Sequence, residues 1–107
     1  MTEKFLITIE RRQREYIKSR RLNLSAIADK QLRACLVHSD AYDKGIAVNA
    51  GERRGCEDPI KTSITLRNVT RWQIDLNNIN LSATLRAILD AIITRELEPY
   101  ADIFKQL

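Results

Sequence analysis

At 107 residues, 44% hydrophobic and 30% charged, the chain is long enough for one ordinary core and too short for two, and its apolar content excludes a wholly disordered protein. No apolar run approaches the roughly 20 residues that span a bilayer, and the first residues lack a signal-peptide pattern, so no membrane partner and a cytoplasmic location are expected. The formal charge of +4 is unevenly spread: residues 1–36 carry nine Lys/Arg against four Asp/Glu, a local excess that attracts polyanions, whereas residues 37–107 carry nine against ten.

The chain opens with "KFLITIER" (4–11), a β-favouring stretch too uniformly apolar to reveal which face is buried. "RRQREYIKSRRL" (11–22) follows as a helical segment whose basic residues, taken alone, fit a solvated face equally well. "NLS" (23–25) then supplies Asn and Ser, whose side-chain oxygens accept from free backbone N–H groups, so a second helix is expected to start there. Cys35 falls in the apolar pattern of that helix and reads as a small core residue. With Cys56 twenty-one positions on and His38 the single histidine, neither a zinc set nor a Cys/His nucleophile pair is expected. The sequence leaves open whether the two cysteines bridge.

Residues 37–60 hold all three glycines and one of the two prolines, and read as a linker with some local order around "GIAVN". Fully extended it reaches on the order of 80 Å, so it does not restrict how its flanks pair. "KTSITLRN" (61–68) then repeats the opening. An offset of 57 aligns residues 4–36 with 61–93 without a gap, with eleven identities in 33 positions, from Lys4/Lys61 to Ala34/Ala91; chance gives roughly two. The second copy resolves the first, because it alternates: Ile64 and Leu66 on one face; Lys61, Ser63, Thr65 and Arg67 on the other. By correspondence the first strand buries Phe5, Ile7 and Ile9 and exposes Lys4, Leu6, Thr8 and Glu10, with Thr62 a weak spot opposite Phe5 in the alignment. "VTRWQIDLNNI" (69–79) is the matching first helix, with Trp72 expected in the core or on a lateral contact surface. "NLS" (80–82) opens a helix striped with Leu81, Leu85, Ile88, Leu89, Ile92 and Ile93. Pro99 ends or kinks it, leaving "YADIFKQL" as an amphipathic tail that packs on the core or docks a protein partner.

Strand, helix, "LS" turn, helix, stated twice in register, resembles the ribbon-helix-helix DNA-binding family of the methionine repressor, Arc and CopG, over about 60% of the chain. The covalent tandem is similar in layout to regulators of archaeal viruses. The resemblance implies a mainly α fold with a two-stranded antiparallel β-ribbon, the two units (residues 1–36 and 61–98, tail 99–107) forming an intramolecular pseudo-dimer around one shared core. It implies double-stranded DNA as partner, with Lys4, Leu6, Thr8, Lys61, Ser63, Thr65 and Arg67 reading bases from the major groove. Asn23, Ser25, Asn80 and Ser82 would hold phosphates at the starts of the second helices, and Arg11, Arg12, Arg14, Lys18, Arg20 and Arg21 would add nonspecific attraction. Self-association along DNA is compatible with it. A transcriptional regulator, in this family more often a repressor, is the expected function; an antitoxin or adaptor whose tail binds a protein is the alternative. No cofactor and no enzymatic activity are expected, since no phosphate loop, paired carboxylates or Ser/His/Asp set is visible. Glu10, near expected phosphates, is the residue least at home in that picture.

Overall fold

A computed structural model of the chain describes residues 2–37, 46–51 and 55–95, with the side chains of 34–37 excepted. The elements run β1 (Thr2–Glu10), α1 (Arg11–Ser19), α2 (Leu24–Val37), β2 (Pro59–Arg67), α3 (Asn68–Leu76) and α4 (Leu81–Ile93). The tail and most of the residues around His38 lie outside the described part.

β1 and β2 form a two-stranded antiparallel sheet. Its register pairs Phe5 with Ile64, Leu6 with Ser63 and Ile7 with Thr62. The alternation read from residues 61–67 holds on β2 and in part on β1: Ile7, Ile9, Ile64 and Leu66 are buried, whereas Lys4, Leu6, Lys61, Ser63, Thr65 and Arg67 are exposed. Phe5, expected in the core, and Thr8, expected outside, are both half-buried, Thr8 because Ser82 and Arg86 of α4 bond its backbone. Thr62 is half-buried against Ile7, so a threonine is tolerated where the first copy has an aromatic. Glu10 departs from expectation. It is buried at 9% exposure rather than outward, because the chain turns into α1 there and the carboxylate bends toward the segment preceding β2.

A two-stranded sheet cannot bury its apolar face alone. α2 packs on β2 and α3, while α4 packs on β1 and α1, so each second helix covers the other half's strand. One cluster results, drawing Ile7, Ile9, Ile17, Ile27 and Leu32 from the first half and Ile64, Leu66, Ile74, Leu85, Ile88 and Leu89 from the second. The segment between the halves contributes too: Ile46 and Val48 are buried. Val48 donates its N–H to Thr84 Oγ1 (3.0 Å) and accepts from the Asn80 N–H (2.8 Å), giving the order expected around "GIAVN" a definite partner.

Both first helices are shorter than their periodicity suggests, and both stop the same way. Arg21 and Asn78 adopt left-handed φ of 54° and 52°. The N–H of Leu22 then reaches the Ile17 carbonyl (3.0 Å), and that of Ile79 the Ile74 carbonyl (3.1 Å), a Schellman ending with its apolar contact. Asparagine tolerates this backbone better than arginine, whose Cβ crowds the following carbonyl. Arg21→Gly should therefore raise stability by about 0.5–1 kcal/mol in urea melts, with Asn78→Gly nearer neutral. Leu66→Ala, at a position with 0% exposure, should cost about 2–5 kcal/mol in the same assay.

Candidate nucleic-acid interface

Even-numbered residues of β1 and odd-numbered residues of β2 share the sheet's outer face. The register sets Thr2 beside Arg67, Lys4 beside Thr65, Leu6 beside Ser63 and Thr8 beside Lys61. Cross-strand neighbours stand about 5 Å apart and successive pairs about 7 Å along the strands, so all seven expected base-reading residues occupy one patch roughly 20 Å long. It carries Lys4, Lys61 and Arg67 and no acidic side chain. Leu6, 68% exposed, stands at its centre with Ser63. Arg67 is already engaged: its Nε lies 3.5 Å from Asp29 Oδ2.

Leu6 and Ser63 are also 57 positions apart, as are Lys4 and Lys61, and Thr8 and Thr65. The pairs Lys4/Thr65 and Thr8/Lys61 are therefore the same pair seen from opposite ends of the ribbon.

The helix starts lie against the ribbon's two edges. Asn23 Oδ1 accepts from the Ala26 N–H (3.1 Å) and Asn80 Oδ1 from the Ala83 N–H (3.2 Å), so both expected N-caps form. Ser82 Oγ accepts from the backbone N–H of Thr8 (3.1 Å), and Ser25 Oγ from that of Thr65 (2.9 Å). Each serine thus ties its helix to the strand of the other half, and each hydroxyl keeps its own proton to donate. The first-turn N–H groups of both helices have no intrahelical acceptor by helix geometry. The expected phosphate-binding and base-reading residues are consequently brought together, edge beside face.

Of the basic residues on or after α1, Arg11 bridges Asp58 (3.2 Å), Arg12 bridges Asp90 (2.7 Å) and Arg20 stacks on Tyr16 at 4.6 Å. Trp72 is 59% exposed and aligned with exposed Val69 and Leu76 on the outer side of α3, outside the core.

Three polar residues that sequence reasoning passed over hold the ribbon in place. Buried Gln13 accepts from the Glu10 N–H (3.0 Å) and donates to the Arg86 carbonyl and to Asp90 Oδ1 (2.9 Å each). At the matching junction between β2 and α3, buried Asp29, which α2 of the first half brings there, accepts from Thr70 Oγ1 (2.7 Å) and the Arg67 N–H (3.2 Å). Polar residues at equivalent buried positions, Gln13 and Thr70, were the available signal.

Glu10 accepts from the N–H groups of Asp58 (2.8 Å) and Glu57 (3.2 Å) and from the Cys56 thiol (3.3 Å). The two amides, Asp58 first, hold the carboxyl below its ordinary range. Burial first, then the bond to Glu10, pushes the thiol of Cys56 up. Cys56 is a free thiol. The residue least at home in the sequence-based expectation is thus turned away from the outer face and anchors the entry to β2.

Among the described residues no His/Cys/Asp/Glu group could hold a metal ion, and no helix is long and apolar enough to cross a membrane. Compared with protein-family models, curated proteins and solved structures, the chain has no significant match.

A carboxyl with a lowered folded-state pKa stabilises fully above its unfolded pKa, and that contribution fades as pH falls through the folded value. Glu10→Gln should therefore be destabilised relative to the parent at pH 7, the gap closing as both are unfolded in urea at pH 4 and then pH 3. Ser25→Ala and Ser82→Ala each leave a strand-edge N–H without its acceptor and should cost about 1 kcal/mol apiece.

Proposed function

We propose that this protein is a sequence-specific double-stranded DNA-binding regulator of the ribbon-helix-helix type, in which the two halves of one chain act as the two subunits of a pseudo-dimer. The observation that carries the reading is the outer face of the ribbon: Lys4, Leu6, Thr8, Lys61, Ser63, Thr65 and Arg67 on one surface, free of carboxylates and flanked at both edges by capped helix starts. The major groove, about 12 Å wide, admits a two-stranded ribbon and displays donors, acceptors and thymine methyls that distinguish all four base pairs.

Within that reading the roles follow from chemistry. Lys4 and Lys61 donate to guanine or phosphate oxygens, Thr8, Ser63 and Thr65 donate or accept, and Leu6 offers an apolar contact for a thymine methyl. The first-turn N–H groups beside Asn23/Ser25 and Asn80/Ser82 grip phosphates on either side of the groove. A regulator that occupies an operator in this way acts by exclusion, which makes repression the more direct outcome.

Binding should weaken linearly in log salt. In fluorescence anisotropy with a duplex selected from random sequence, Lys61→Ala should lower affinity and flatten the salt slope by about one. Thr65→Ala should relax discrimination at one base pair with the slope unchanged. Unaltered affinity and sequence preference in both variants would remove the ribbon as the reading element.

A further inference from the structure

Arg14 and Arg71 occupy equivalent positions in the repeat, yet their surroundings differ. Arg71 on α3 is held by Glu3 of β1 and by Asp75 at 3.6 Å. The 57-residue counterparts of those two carboxylates are Ile60 and Lys18. In the first half, therefore, one anion is replaced by an apolar side chain and the other by a second cation. Among the described residues neither Arg14 nor Lys18 has an ion-pair partner. Arg11, Arg14 and Lys18 recur at i, i+3 and i+7, one stripe about 10 Å long on α1. With Glu15, Ser19 and Ile60 they border an open cleft of about 470 Å³.

We propose that this cleft is an anion site that takes phosphate groups. Where the second half folds its own carboxylate against the repeated arginine, the first half leaves that place to an oxyanion from outside. Arg14 offers a planar fork suited to two phosphate oxygens, Lys18 a point charge one turn away, and Ser19 a hydroxyl. Arg14 and Lys18, with Arg11 shared with Asp58, outnumber the carboxylate of Glu15 on the rim, an excess that suits a phosphate. The exposed bridge from Arg11 to Asp58 is weak enough to be redirected. The phosphate can arrive on a small molecule or as the backbone of a duplex passing α1. Binding of a small phosphate is independent of base reading by the ribbon, whereas the duplex source rests on that reading; the pyrophosphate titration keeps the two failures apart.

The test is an amide NMR titration of the full chain with sodium pyrophosphate at constant ionic strength, beside binding to a duplex extended by one helical turn at each end. If the phosphate is small, resonances of residues 11–19 move saturably with pyrophosphate. Arg14→Gln and Lys18→Asp then each weaken binding about tenfold or more, while Arg71→Gln leaves it unchanged. Ile60→Glu, which gives α1 the carboxylate that Glu3 gives α3, abolishes it. Because Ile60 is half-buried, the exposed Lys18→Asp carries the conclusion if Ile60→Glu misfolds. If the phosphate belongs to DNA, the same α1 variants weaken the extended duplex, but not one trimmed by those turns, and pyrophosphate saturates nothing. No saturation together with no effect of α1 variants on the extended duplex overturns the proposal, as does Arg71→Gln weakening pyrophosphate as much as Arg14→Gln.

Discussion

The fold depends on a single strand register. Partners across the ribbon sum to the same number, so that Leu6 meets Ser63 and Thr8 meets Lys61. A slip by one residue would turn one strand over relative to the other, carrying either Ile7 and Ile9 or Ile64 and Leu66 into solvent and that strand's lysine toward the core. A slip by two would keep the faces but separate Ser82 from the Thr8 N–H and Ser25 from the Thr65 N–H. The apolar face excludes odd slips and the serine ties oppose even ones. Because each tie crosses from one half to the other, pairing the strands and seating the second helices are one event, and neither half retains a core without its counterpart.

The halves have kept the geometry of the repeat and diverged in its chemistry. At one strand-helix junction the buried donor is Gln13, facing the Arg86 carbonyl and Asp90; at the other it is Thr70, facing Asp29. Both solutions satisfy their buried polar groups, which is what a dry, low-dielectric junction demands. They are not interchangeable. Joining two copies of the second half would set Thr70 opposite Arg86 and remove its carboxylate acceptor. The polar contacts therefore favour pairing unlike halves over like ones, and covalent connection reinforces this by raising their local concentration.

Much of this was legible in sequence because it rests on local chemistry. Alternation in "KTSITLR" revealed the buried face of both strands, and "NLS" marked both helix starts through the capping ability of asparagine. What escaped is what contacts across the chain decide. Nothing near Glu10 signals that amides 47 and 48 positions away turn it inward. Gln13 and Asp29 look like solvated polar residues until their helices are packed. Ile46 and Val48 lie in a stretch whose glycines read as linker, yet both are buried, and the turn before α4 gives Val48, Asn49 and Ala50 edge partners. The end of α1 was hidden because a left-handed arginine carries no sequence mark of the kind glycine would.

Incomplete symmetry also has consequences for the proposed DNA contact. Lys4/Thr65 and Lys61/Thr8 are matched pairs, so the two flanks of the ribbon would present the same donors to equivalent base pairs. Its centre is different: Leu6 and Ser63 stand at equivalent positions but offer a methyl contact on one side and a hydroxyl on the other. The ends differ too, for Arg67 lies beside Thr2 on the outer face while its counterpart Glu10 is turned inward. An operator fitted to this surface would be a near-palindrome, repeated in its flanks and broken at its middle and one outer edge. A symmetric dimer cannot favour one orientation on such a site. A single chain with two unlike halves can, because reversing it would set Leu6 where Ser63 is needed and withdraw Arg67 from its end.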